Sequence, residues 1–336
     1  LNNILKISEL RTGYDNAHPV IKSPFSATAE PGQITGIIGP NGSGKTTLLK
    51  TLCCLIKPLS GNVLLGNENI TLLSPLERAK RISYIMTGSS VIPDIKVSEV
   101  VEMGRFSGTG WIRSHNQTDK ILCENATERT GISHLLSKRF HAISDGEKQR
   151  VLFAMALAQN TQVMLFDEPA AFLDIPAKHG IYKIMHDISR TDNKTIIFST
   201  HDISNAIAIC DKLWAFSENK IESGLPEYLG IKNVFSMLFP DNILLFDTEK
   251  MDYVTTSISN SIPVDIKGDG TKYKWTVSLL KRLGFDPGCN ISAVLSVITN
   301  ENDDKWIINY NSNQVIVSSL AEFEEKMKCV INKQPL

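Results

Sequence analysis

An α/β fold with a mainly parallel sheet is what three features of this sequence predict. Short apolar runs stand at 32–39 (GQITGIIG), 81–86 (RISYIM), 163–168 (VMLFDE) and 194–200 (KTIIFST). Helix-period segments separate these runs, and strands buried on both faces read as continuously apolar. The third feature is a glycine-rich loop at 39–46, GPNGSGKT, set between the first of these strands and a helix-like repeat.

The bulk numbers exclude several classes. With 336 residues the chain has room for two domains, and 42% apolar with 21% charged residues is an ordinary globular composition. Lysine and arginine (35) balance aspartate and glutamate (36), so no nucleic-acid or other polyanionic partner is expected, and any phosphate must be held locally. The longest apolar stretches, such as VLFAMALA at 151–158, are too short to span a bilayer. No signal-peptide pattern is visible, which predicts a cytosolic chain. The first residue is Leu1 rather than Met, so residues are expected to have preceded it. The six cysteines show no metal or C-x-x-C spacing and are expected as buried, reduced thiols. His134, His141, His179 and His186 likewise lack ligand spacing, and Lys138 with Arg139 reads as a solvated pair.

The α/β pattern spans 1–240 and holds a helical lobe at about 88–160, between the second and third strands. A turn signal in LFPDN (238–242) ends it. From 243 to 336 the pattern is that of a small α+β domain. Its strands are SIPVDI, ISAVLSVI, WIINY and QVIVSS, with NSN at 311–313 as a hairpin turn. Trp275, Leu279, Leu280 and Leu283, and again Leu320, Phe323, Met327 and Val330, recur at helical spacing. No motif in this tail carries nameable chemistry. A regulatory domain, a dimer contact and a packing domain without ligand are all compatible with it.

The loop is where chemistry enters. Gly39, Pro40, Asn41, Gly42, Ser43, Gly44, Lys45, Thr46 and Thr47 fit G-x-x-x-x-G-K-S/T, in which backbone N–H groups cradle phosphates ahead of a helix. Lys45 would reach the β- and γ-phosphates and the Thr46 hydroxyl would ligate Mg²⁺. A glycine-rich turn with a solvated lysine is the bland alternative. Asp167 and Glu168 close a second strand at the sheet edge where ligands sit. Asp167 would hold Mg²⁺, directly or through water, and Glu168 could polarise the attacking water. Paired acids are also ordinary residues at a helix start.

ISDGEKQR at 143–150 resembles the LSGGQ signature of the ATP-binding cassette (ABC) ATPases. Other landmarks follow in the family's order: Tyr14 of RTGY matches the aromatic that stacks on adenine. AFLD (171–174), ending in Asp174, resembles the D-loop, and His201 of STHD matches the switch histidine. The resemblance covers about residues 4–235. It implies a P-loop cassette that binds ATP and Mg²⁺ and closes head to tail on a second copy or another cassette. Ser144, Asp145, Gly146 and Glu147 would then meet the partner's ATP. VSEVVEMGR (97–105), SDGEKQRV, DEPAAFLD and STHDISNAI most resemble the ATPases of importers for ferric siderophores, haem and cobalamin. That likeness implies separate membrane permease subunits, a periplasmic or surface substrate-binding protein, and a place on the inner face of the cell membrane. A soluble ABC switch, as in iron–sulfur cluster assembly, and a degenerate cassette that binds ATP with little turnover are the alternatives.

Two departures matter. Thr87 stands where the family's Q-loop glutamine is expected, so either hydrolysis and coupling are altered or a neighbour compensates. Asp145 replaces a common glycine, and a carboxylate aimed at a γ-phosphate would be repelled by about 1 kcal/mol at 4 Å in water and by more in a dry site. Asp145 is therefore expected to point away from nucleotide.

Overall fold

The computed structural model describes residues 4–15, 18–86, 94–106, 117–217, 220–239, 244–255, 261–288, 294–300, 303–311 and 313–332. Thr87 and Cys289 lie outside the described residues. The chain divides into two compact units, Leu1–Val254 and Thr255–Leu336.

Ten strands of the first unit form two sheets: β1 (Leu5–Arg11), β2 (Phe25–Ala29), β3 (Ile34–Ile38), β4 (Ser60–Leu65), β5 (Glu68–Asn69), β6 (Ile82–Met86), β7 (Val163–Asp167), β8 (Thr195–Ser199), β9 (Lys212–Phe216) and β10 (Ile221–Gly224). The larger has the order β10-β9-β3-β8-β7-β6. Its strands pair in parallel except β10, which runs antiparallel to β9. Every residue of β3, β7 and β8 is buried, which is why these runs are apolar without alternation. The smaller sheet, β2-β1-β4-β5, is antiparallel and goes beyond the sequence reading. The carboxyl ends of β3, β8 and β7 thus lie side by side, where an open α/β sheet binds its ligands.

Helix α1 (Lys45–Leu52) follows β3 and buries Leu48, Leu49 and Leu52 in one core with Leu5, Ile7 and Leu165. Beyond α2 (Pro75–Ala79) comes the expected helical lobe, α3 (Val97–Met103), α4 (Gln117–Thr130) and α5 (Asp145–Ala158). Gly104, just past α3, passes so close to α5 that a Cβ there would overlap the Met155 carbonyl. Arg105 then clamps the lobe. Its Nε donates to Asp119 Oδ1 at 2.7 Å, and its guanidinium donates to the Ala158 carbonyl at the end of α5 at 2.8 Å. Asp119 is buried, and removing the cation from a buried pair costs about 3 kcal/mol. Arg105→Ala should therefore lower the free energy of unfolding by about 3 kcal/mol, and an unchanged urea titration would refute this. Phe153 of α5 stacks on Phe166 of β7, with centroids 4.2 Å apart and planes 11° apart, which joins the lobe to the strand ending in Asp167.

Helices α6 (Ile175–Asp192), α7 (Ile203–Ile209) and α8 (Pro226–Ile231) complete this unit with the hairpin β11 (Leu244–Asp247) and β12 (Asp252–Thr255). The sequence reading starts the second domain at 243, but this hairpin clusters with the first unit. Phe246 lies 4.8 Å from Phe235, and the Tyr253 hydroxyl donates to the Phe235 carbonyl at 2.5 Å, so aromatic packing draws the hairpin back.

The second unit is the expected α+β domain. It runs β13 (Ile262–Lys267), α9 (Gly270–Arg282), β14 (Phe285–Gly288), β15 (Leu295–Thr299), β16 (Trp306–Tyr310), β17 (Asn313–Val317) and α10 (Leu320–Ile331), with sheet order β14-β13-β15-β16-β17. Tyr310 pairs with Asn313, which closes the hairpin where NSN places it. Leu279, Leu280, Phe323, Met327 and Val330 join Val264, Val297 and Ile308 in one core. Trp275 does not join them: it is 67% exposed, one position off the buried stripe that Thr276 occupies.

Among the described residues Cys53, Cys54, Cys123, Cys210 and Cys329 are free thiols. Burial above all pushes Cys53 and Cys123 up to about 11 and Cys210 well above its ordinary value. A raised pKa makes Cys53, Cys123 and Cys210 weak nucleophiles, and of the five only Cys210 is buried.

Candidate functional site

The loop after β3 turns through Gly39 (φ 147°), Gly42 (φ 76°) and Gly44 (φ 105°). Side chains with a Cβ avoid these values, so the sequence needs glycine here. An added Cβ at Gly42 would meet nothing within 4 Å, whereas one at Gly44 would overlap the Val20 side chain. Lys45 opens α1 and is 6% exposed. Its Nζ donates to the carbonyls of Gly39 at 2.8 Å and Pro40 at 2.9 Å. Burial holds its pKa below the ordinary lysine value, against the opposing charges of Glu168 and then Asp167. An anionic oxygen replacing these neutral carbonyls would favour the ammonium form. Asn41 is exposed, Thr46 half-buried and Thr47 buried, and the Ser43 hydroxyl is buried without a hydrogen-bond partner among the described residues. Tyr14 is 72% exposed, free to offer its ring face to a base.

At the end of β7, Asp167 is 6% exposed and its Oδ1 accepts from Ser199 Oγ at 2.5 Å. The same hydroxyl accepts the Glu168 N–H at 2.9 Å. Glu168 has φ 51°, a left-handed conformation that costs a residue other than glycine about 1–2 kcal/mol. Such strain at a strand end is a pointer to function. His201, just past β8, brings Nδ1 to 3.3 Å from Glu168 Oε2. Tyr84 of β6 completes the group. Burial first, and then the charge of Asp167, drive its pKa up, with a hydrogen bond to Asp167 among the lesser causes. Neither Ser199 nor Tyr84 is singled out by the sequence reading. The available signal was Ser199 at the carboxyl end of β8 and Tyr84 within β6, the two apolar strands that flank the Asp167 strand.

The segment resembling a signature begins α5. Ser144 Oγ accepts the Glu147 N–H at 3.3 Å, while Glu147 Oε2 accepts the Ser144 N–H at 2.8 Å and its hydroxyl at 2.9 Å. This capping box holds the Glu147 carboxyl below its ordinary range and fixes the helix start. Asp145 is exposed and paired with Lys148 at 2.9 Å, so its charge is held at the helix surface. A Cβ on Gly146 would lie 3.1 Å from Ala177, which places the start of α5 against the start of α6. Asp174 caps α6 by accepting from the Ala177 N–H at 2.9 Å. Lys178 one turn on pairs with Asp202 at 2.7 Å, beside His201. Thr87 lies outside the described residues.

These residues fit a nucleoside triphosphate with Mg²⁺. The loop leaves space beside Gly42, its lysine is buried with only carbonyl partners in the loop, and the Ser43 hydroxyl is buried without a hydrogen-bond partner among the described residues. Among the described residues no cluster of three or more His, Cys, Asp or Glu could hold a metal alone. One carboxylate, one hydroxyl and substrate phosphates are the usual setting of Mg²⁺.

Comparison with known proteins bears directly on this group. Residues 23–171 match the family described as ABC transporter, and 261–328 match the iron ABC transporter C-terminal domain. The ferric enterobactin transport ATP-binding protein FepC of Escherichia coli is 33% identical over 64% of this chain and 80% of its own. The chain belongs to the ABC transporter family of ATPases. The petrobactin import ATP-binding protein FpuD of Bacillus anthracis is 31% identical over 61% of this chain and 77% of its own. The cobalamin import ATP-binding protein BtuD of Halobacterium salinarum is 34% identical over 65% of this chain, but the match spans only 52% of that relative's length. Among solved structures, cbiO1 of Clostridium perfringens, part of an ABC transporter complex, superposes with a TM-score of 0.62 at 28% identity, covering 69% of this chain and 92% of its own. A nucleotide-free ABC cassette gives 0.62 at 24% identity over 69% and 95% of the two chains and supports the fold alone.

Proposed function

We propose that this ABC ATPase is the motor subunit of an importer for a metal chelate, with a ferric siderophore as the favoured cargo. The observation that carries the reading is the convergence of Lys45, Asp167, Glu168 and His201 at neighbouring strand ends in a chain whose relatives are named for siderophore and cobalamin import. The iron-type C-terminal match leans the cargo toward iron. Among the described residues no helix is long and apolar enough to cross a membrane, so the pore belongs to permease subunits on whose inner face this chain would sit.

Lys45 and the loop N–H groups bind and orient the triphosphate. Asp167 and the Thr46 hydroxyl hold Mg²⁺, which when bound neutralises phosphate charge. Glu168 accepts the proton of the attacking water, and His201 steadies the carboxylate through Nδ1. Tyr14 offers a stacking face to the base. Ser144 and Gly146, with Asp174 beside them, face a second cassette, so two copies enclose two nucleotides and reopen after hydrolysis.

Steady-state ATP hydrolysis by the purified chain, alone and with its permease in liposomes, tests the reading. Turnover that rises at least several-fold with the permease is expected. Thr87→Gln measured alongside separates the degenerate cassette: tight ATP binding without turnover in the native chain, restored by glutamine, would replace an import motor with a binding switch.

A further inference from the structure

We infer that Ser199 is a positioning residue for the reaction, a single buried hydroxyl that locks Asp167 and the backbone of Glu168 into one geometry. The inference rests on the ATPase reading above. Asp167 and Ser199 are register partners at the ends of the parallel strands β7 and β8. A hydroxyl has one proton to give and lone pairs to accept with. Ser199 uses both: the proton goes to Asp167 Oδ1 at 2.5 Å and a lone pair takes the Glu168 N–H at 2.9 Å. Ser199 is 0% exposed, so water does not compete for either bond.

The consequence falls on both carboxylates. The bond to Oδ1 sets the plane in which Asp167 presents itself to a cation. The bond from the N–H holds the first left-handed residue after the strand, Glu168 at φ 51°, and that corner aims the Glu168 side chain at His201. Strained backbone persists only where its surroundings over-determine it, and here one hydroxyl ties the strained residue to the strand carrying the histidine. The group that would orient a cation and the group that would take a proton therefore share one anchor. The same strand supplies a control. Thr195, at the far end of β8, is also buried, and its hydroxyl has no hydrogen-bond partner among the described residues.

The test compares Ser199→Ala, Ser199→Thr and Thr195→Val in the full chain. Groups that orient a metal ligand are worth roughly 10–100-fold in affinity or activity. For Ser199→Ala, kcat should fall by about that factor and Mn²⁺ affinity, read by electron paramagnetic resonance with ADP present, should weaken comparably. KM for ATP and metal-free ATP binding should stay within about two-fold, a split that loss of folding could not produce. Ser199→Thr, which keeps the hydroxyl, should recover most of both losses, and Thr195→Val should match the wild type. Wild-type kcat and Mn²⁺ affinity in Ser199→Ala, or an equal loss in Thr195→Val, would overturn the inference. A wild-type chain without turnover would instead sink the ATPase reading, and the Mn²⁺ comparison would still decide whether Ser199 orients Asp167.

Discussion

Glu168→Gln is expected to lower ATP turnover by about 10²–10⁴-fold while leaving ATP binding intact. The two halves of this result come from different parts of the site. In the proposed function binding belongs to the loop, where the buried Lys45 side chain donates to the Gly39 and Pro40 carbonyls. The glutamine substitution touches none of these groups. Turnover needs an acceptor for the proton of the attacking water, and an amide of the same size cannot serve. The backbone corner at Glu168 is fixed through its own N–H to Ser199, so the new side chain starts from the same place. It can still meet His201 Nδ1, which lies 3.3 Å from the native carboxylate. Geometry is kept and basicity is lost. The variant should therefore collect ATP and remain closed on its partner, giving a stable dimer in size-exclusion chromatography with ATP that disappears with ADP. Turnover within two-fold of the wild type would remove Glu168 from the role of base. Loss of ATP binding would show that the substitution acts through the loop.

The sequence made some parts of this molecule plain and hid others, for physical reasons. Strands β3, β7 and β8 were legible because both faces are buried, so the apolar signal is continuous. The smaller sheet was not: β1 and β4 alternate buried and exposed positions over few residues, a weak pattern beside a glycine-rich loop. Strand β14 reads FDPG, which is turn chemistry by composition. It is tolerated because β14 is the sheet edge, where a proline need not donate to a neighbour on both sides. The glycine-rich loop was legible as a loop between β3 and α1 because its residues are consecutive. Ser199 was not, because its partners are 31 and 32 positions away in sequence and only the parallel pairing of β7 with β8 brings them together. Asp145 is exposed and pairs with Lys148 at the helix surface.

Alanine at Gly44 is expected to cripple both stability and nucleotide binding, whereas alanine at Gly42 should chiefly affect the loop's own conformation. Both glycines have positive φ, 105° and 76°, so a Cβ at either costs about 1–2 kcal/mol. Only Gly44 adds a second cost. Its Cβ would overlap Val20 Cγ1 and come within 3.7 Å of Phe216, inside a packed wall. Overpacking of this kind costs about 1–3 kcal/mol more, so the expected loss at Gly44 is about 2–5 kcal/mol against about 1–2 at Gly42. If the wall instead holds, the loop must move, and Gly44 is the residue immediately before Lys45 and the first turn of α1. A shift there would carry the lysine away from the phosphates that the proposed function has it meet. The double variant Gly44→Ala with Val20→Ala separates the two costs, because removing the valine methyls relieves the overlap but not the backbone strain. Residues in contact give non-additive changes, so the double variant should recover about 1–2 kcal/mol relative to the sum of the singles. Urea denaturation measures the first quantity, and titration with a fluorescent ATP analogue measures the second. Equal losses at Gly42 and Gly44 would show that backbone conformation alone makes the loop need glycine. A larger, partly rescued loss at Gly44 would show that the loop is also held from behind, by Val20 and Phe216 packed against its last turn.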